Sequence, residues 1–149
     1  MLVKEIMTRA VKTITPETRL QEVASLMCLN RFSGLPVVEG DDKLLGILTE
    51  RDVLRYLFPS IEDVMGGMSS LDFDSMEGDY KKILEKKAAD MMTPGAITVS
   101  PDMPILKAVS VMARHNFRRI PVAEGDKLVG MISLGDIHRA IFMKSFSGS

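Results

Sequence analysis

Apolar and polar positions along this chain run through one series of spacings and then repeat it. Leu20, Val23, Ala24 and Met27 fall at i, i+3, i+4 and i+7, the spacing of one helix face, and Ile105, Ala108, Val109 and Met112 repeat it. Before each stripe stands a short β-type run, "VKTIT" (11–15) or "AITVS" (96–100). Each run stops at Pro16 or Pro101, where the ring removes a backbone donor. After each stripe come two apolar runs, "LPVVE" and "LLGILT" or "IPVAE" and "LVGMIS". Gly40-Asp41-Asp42 and Gly125-Asp126 separate them, which predicts hairpins. A closing helix is predicted just after Thr49 and again after Ser133. The order is strand, helix, strand, strand, helix, twice over.

The match extends to single residues. Met7-Thr8 falls on Met92-Thr93, Thr13-Ile14-Thr15-Pro16 on Thr98-Val99-Ser100-Pro101, and Phe32 on Phe117. One residue is lost in the second turn, after which "LLGILTERDVLR" meets "LVGMISLGDIHR". A unit of about 55 residues buries too little surface to be more than marginal alone, so the copies are expected to share a core. The expected boundaries are 1–58 for the first repeat, 59–87 for a connection, 88–144 for the second repeat and 145–149 for a tail. Residues 59–79 hold six acidic side chains (Glu62, Asp63, Asp72, Asp74, Glu77, Asp79) and no Lys or Arg, which predicts a solvated loop or linker. Tyr80–Ala89 reads as a helix leading into the second copy.

Composition narrows the function classes. The formal net charge of −1 leaves no global basic field for nucleic acid, and aromatic residues at 5% leave few stacking platforms. No helix-turn-helix or basic arm is evident. No run approaches the roughly 18 apolar residues of a membrane span, and Cys28 is the single cysteine. Both features read as a soluble chain in a reducing cytoplasm, without a membrane partner. Cys28, on the first helix without an evident base, is expected to be a buried or half-buried structural residue. His115 and His138 have no ligand-spaced companions, so no metal site is expected, and the 12 methionines are expected chiefly to fill core. No P-loop and no nucleophile-base pair is present, so no catalytic residue is assigned and the chain reads as a non-enzyme.

The chemistry that stands out is Thr49-x-x-Asp52 and Ser133-x-x-Asp136, each at a junction from strand to helix. Two readings compete. The hydroxyl caps the helix while the acid favours its positive end. Alternatively, a hydroxyl beside free helix-terminal N–H groups meets a phosphate, and the aspartate, a pure acceptor, takes both protons of a ribose diol. Arg114, Arg118 and Arg119 form either a solvated face or the counter-charge for such a phosphate.

The duplicated unit, with "IMT" and "MMT" at its entries, "GLPVV" and "RIPVA" strands, and "ILTERD" and "ISLGD" endings, resembles the paired cystathionine-β-synthase (CBS) domains of a Bateman module. The resemblance covers roughly residues 3–57 and 88–143. It implies an α+β fold of two β-α-β-β-α repeats packed through their sheets about a pseudo-two-fold axis, with ligand clefts between the repeats. It also implies a regulatory module that senses an adenosyl ligand: AMP, ADP, ATP or S-adenosylmethionine. By the same resemblance, the first site would be formed by Thr13, Leu35, Pro36, Thr49 and Asp52. The second would be formed by Thr98, Arg118, Arg119, Ile120, Pro121, Ser133 and Asp136. Hydroxyls would meet phosphate, aspartates the ribose, and the Leu-Pro and Ile-Pro pairs the adenine. Ser33-Gly34 stands where the second copy has Arg118-Arg119, so the second site is the better host for a multiply charged phosphate. A homodimer is implied as well, with Val53, Leu54, Leu57, Ile137, Ala140 and Ile141 as its candidate face, and a regulated protein partner. The alternative function is a ligand-independent assembly or protein-interaction module.

Overall fold

The structure, a computed structural model, describes residues 1–57 and 73–147. It divides into two compact units, and their boundaries are not those of the repeats. One contains Met1–Lys12, Gly40–Leu44 and the second repeat from Ala96; the other contains Thr13–Glu39 and the described residues of Leu45–Gly95.

In the unit built around the first repeat, helix α2 (Leu20–Asn30) buries Leu20, Val23 and Met27, the stripe expected from the spacing. Arg19, at its N-cap, makes no side-chain cap. Instead, the carbonyls of Lys86 and Leu84 accept from Leu20 N–H (2.8 Å) and Gln21 N–H (3.0 Å), so a distant segment satisfies the helix terminus. Strands β1 (Gly34–Glu39) and β2 (Lys43–Thr49) are neighbours in the sheet, and helix α3 (Glu50–Tyr56) follows at once. The short strand β3 (Thr93–Pro94) pairs antiparallel with β2, Thr93 opposite Ile47 and Pro94 opposite Gly46. The core joins Leu35, Val37 and Leu48 to Ile83, Ala88 and Met91.

The other unit repeats these contacts. Helix α5 (Ile105–His115) buries Ile105, Ala108 and Met112. Its Ile105 N–H is satisfied by the carbonyl of Met1 at 3.0 Å. Strands β4 (Arg119–Glu124) and β5 (Lys127–Ser133) form an antiparallel hairpin running from Arg119 opposite Ser133 to Glu124 opposite Lys127. Helix α6 (Leu134–Phe146) closes the unit. Val3 and Met7, the first from helix α1 (Val3–Ile6), lie in the core with Val99, Ile120, Ile132 and Ile137. Equivalent bonds dock the two entry segments: Val3 N–H to Met103 O (2.9 Å) in one unit and Ala88 N–H to Thr18 O (2.8 Å) in the other. Each repeat's entry segment therefore completes the core built around the other repeat.

Several expectations change. The runs at 11–15 and 96–100 are not full strands; each contributes one parallel bridge, Ile14 with Val37 and Val99 with Val122. The adjacent Pro16 and Pro101 cannot donate to a longer ladder. The helix expected at 80–89 lies earlier, as α4 (Phe73–Ile83), so Asp74, Glu77 and Asp79 are helical instead of lying in a loop. Leu84 and Lys86 cannot continue it, because their carbonyls are used by α2, and Ala88–Asp90 forms a 3-10 turn. The remainder of the predicted acidic loop, with Glu62, Asp63 and Asp72, lies outside the described residues. The expected tail is helical as far as Phe146. Cys28 is exposed, because it falls on the side of α2 away from Val23 and Met27. Among the described residues, no helix is long and apolar enough to cross a membrane.

Candidate functional site

Each unit brings its predicted residues together at one end of its strand pair. In the second-repeat unit, the bond from Leu134 N–H to Arg118 O (2.9 Å) and the pairing of Arg119 with Ser133 set the basic pair beside the start of α6. Val99 N–H donates to Pro121 O at 3.1 Å, which brings half-buried Thr98 to the neighbouring strand. In the first-repeat unit, Glu50 N–H donates to Ser33 O (3.0 Å) and Ile14 N–H to Pro36 O (3.0 Å). Thr13, Ser33-Gly34, Thr49 and Asp52 are thereby neighbours.

Thr49 and Ser133 are both helix N-caps. Thr49 Oγ1 accepts from Asp52 N–H (3.2 Å), and Asp52 Oδ2 accepts from Thr49 N–H (2.9 Å). Ser133 Oγ accepts from Asp136 N–H (3.0 Å), and Asp136 Oδ2 from Ser133 N–H (3.1 Å). These are reciprocal capping boxes. The expected array of free N–H groups is thus reduced, because Glu50, Asp52, Leu134 and Asp136 N–H all have internal acceptors. What remains available differs between the units. Thr49 donates its own proton to Asp52 Oδ2 (3.0 Å), whereas Ser133 O–H makes no such donation among the described residues.

The two aspartates also have different company. Asp52 Oδ1 accepts from Thr93 Oγ1 at 3.2 Å, so its carboxylate serves three donor groups. Thr93 was not among the candidates read from the sequence; its signal was the repeated Met-Thr pair at 7–8 and 92–93. Asp136 lies 3.5 Å from Arg139 Nη1, one helical turn on. Arg118 and Arg119 are exposed, while Ser133 and Asp136 are half-buried. Leu35 and Ile120 are fully buried core residues of their units. Pro36 and Pro121 are buried as well, and it is their carbonyls that carry the bridges to Ile14 and Val99.

A protein-family model described as the CBS domain matches residues 3–59 and again 88–143. MJ1426 of Methanocaldococcus jannaschii is 30% identical, over 95% of this chain and 91% of that protein. The CBS domain-containing protein YhcV of Bacillus subtilis is also 30% identical, over 91% of this chain and 81% of its own. Among solved structures, the Arabidopsis thaliana CBS-pair protein CBSX2 superposes with a TM-score of 0.78 at 23% identity, covering 97% of this chain and 96% of that one. A crystal structure of CBSX2 in complex with AMP superposes with a TM-score of 0.74. Two family matches in tandem, on an α+β fold shared with CBS-pair proteins, make this chain a member of the CBS domain family.

Proposed function

We propose that this chain is a regulatory module that binds an adenine nucleotide or related adenosyl ligand and performs no chemistry of its own. The observation that carries this reading is the half-buried hydroxyl-aspartate pair at each strand-to-helix junction, with Arg118 and Arg119 beside the second. Ionised aspartate accepts from a ribose diol, and guanidinium groups suit phosphate oxygens. The AMP complex of CBSX2 supports the ligand class. Occupancy would alter the protein's conformational equilibrium only through differential affinity for its states, and would stabilise the fold by mass action. Thermal unfolding against adenosyl and guanosyl ligands, with Asp52→Ala and Asp136→Ala alongside, tests this. An adenosyl-selective rise in midpoint that one variant abolishes supports the reading. Earlier melting of both variants, with no ligand response in any protein, would leave only the caps.

A second reading, assembly with another copy of the chain, draws on exposed apolar residues in the second-repeat unit: Leu106 (64%), Phe142 (53%), Met143 (62%) and Phe146 (77%). The dimer face expected from the sequence shifts accordingly, because Val53 and Ile137 are core residues of their units. Sedimentation of Met143→Glu, expected to favour the monomer, tests that face.

A further inference from the structure

The two copies end their first helix with the same backbone and different side chains. Arg31 and Asn116 both take φ 57° there, so the turn itself is shared. Leu29, Asn30 and Ser33 of the first copy correspond to Arg114, His115 and Arg118 of the second. The turn therefore forms without basic residues at those positions. The preference of a helix C-terminus for positive charge accounts for Arg114 and His115 in the last turn of α5, but not for Arg118 beyond it. The aromatic residue is placed differently as well. Phe32 packs against the first core, whereas Phe117 is 38% exposed and stacks on His115, with ring centroids 5.3 Å apart and an interplanar angle of 21°. Arg114, His115 and Arg118 are exposed, and neither arginine forms an ion pair among the described residues. Like charges gathered on one turn repel, and no described carboxylate offsets that cost.

We propose that the turn from Arg114 to Arg118 docks an acidic segment of a partner protein, in which Asp or Glu residues flank an aromatic or aliphatic side chain. The guanidinium forks suit carboxylates bidentately, and the stacked His115 and Phe117 rings offer a flat face to the apolar side chain between them. Arginine and aromatic residues without lysine are also the composition of the energetic centres of protein interfaces. Single-stranded nucleic acid would need a longer basic track with further aromatic platforms, and a net charge of −1 supplies no field to gather it. Arg119, opposite Ser133, stays with the candidate ligand site, so this surface does not depend on a bound nucleotide.

Fluorescence anisotropy of the full chain with a labelled peptide carrying one Phe between runs of Glu tests this, beside the same peptide with Ala for Phe and a labelled oligothymidylate. The unaltered protein should bind the Phe peptide, more weakly as salt rises. Arg114→Glu should weaken that binding by roughly 10-fold or more, the scale of one charge-assisted contact. Phe117→Ala should abolish the preference for the Phe peptide over the Ala peptide, a readout that lost stability alone would not produce. Lys107→Glu makes the same charge change at an exposed position near the other end of α5 and should leave binding unchanged. The inference is overturned if neither peptide binds at millimolar concentration, or if Lys107→Glu weakens binding as much as Arg114→Glu, which would make the attraction nonspecific. Binding of the oligothymidylate without the peptide would also overturn it and mark a nucleic-acid surface instead.

Discussion

Gly130 passes so close beneath Thr8 that a Cβ on the glycine would stand 2.8 Å from the threonine carbonyl oxygen, with Met7 Sδ equally near. The approach is fixed by paired bonds, Thr8 N–H to Met131 O at 2.8 Å and Met131 N–H to Thr8 O at 2.9 Å. A backbone atom held this way cannot yield as a flexible side chain can. Gly130→Ala should therefore destabilise the protein by about 1–3 kcal/mol, measured as a lower urea midpoint. Gly46, which meets Thr93 in the same manner, should respond alike.

Gly78 provides the opposite case. It is exposed within α4, and a Cβ there would meet no atom within 4 Å. Gly78→Ala should stabilise by about 0.5–1 kcal/mol, since the substitution removes only backbone freedom in the unfolded chain. A matching rise in the urea midpoint would check it.

Arg31 ends α2 with φ 57°, a left-handed conformation in which the Cβ crowds the following carbonyl oxygen, a cost that asparagine's short polar side chain offsets by local hydrogen bonding and arginine's does not. Asn116 takes the same conformation at the end of α5, where Phe117 N–H returns to Met112 O at 2.9 Å. Arg31→Asn should raise stability by roughly 0.5 kcal/mol, while Asn116→Arg should lower it by a similar amount. Chemical denaturation of the two single variants gives the comparison.

The unequal carboxylates predict unequal losses. Asp136→Ala removes one half of a capping box, for which about 1 kcal/mol is usual. Asp52→Ala also deprives the Thr49 and Thr93 hydroxyls of their acceptor, so its loss should be larger, about 1–2 kcal/mol. Equal midpoints for the two variants would contradict the hydrogen-bond count.

Tyr80, packed against the first core, holds its proton above the ordinary value of 10.0, chiefly because burial disfavours the phenolate, with nearby Cys28 acting in the same direction. The unfolded chain would lose this proton first. Its stabilising contribution is therefore complete below about pH 10 and is lost as pH rises through the higher folded value. Stability of the unaltered protein should fall more steeply than that of Tyr80→Phe between about pH 9 and 11. Urea titrations at stepped pH would show the two curves converging.

Much of this fold was legible because duplication made each signal appear twice. The Leu20 and Ile105 stripes became α2 and α5, and the Gly40 and Gly125 turns became hairpins. Both hydroxyl residues became caps, one of the two roles weighed for them. The misplaced helix and the shortened first strands share a cause: both depend on backbone bonds to distant segments, as with Leu84 and Lys86 serving α2, and periodicity is blind to such partners. The same limit hid Thr93 beside Asp52. Buried Leu35 and Ile120 illustrate a different one, since an apolar residue beside a candidate site reads alike whether it faces a ligand or the interior.

The crossing of the entry segments bears on how the chain acquires its structure. Met1–Lys12 belongs with Ala96 onward, so this segment has no complete core to join until the residues of α6 have been synthesised. Val3 and Met7 must wait for Ile120, Ile132 and Ile137, a closure across most of the chain that is characteristic of high contact order and slow folding. Neither repeat excised at its own boundary would carry the residues that finish its interior, so division of labour between the two copies begins during synthesis.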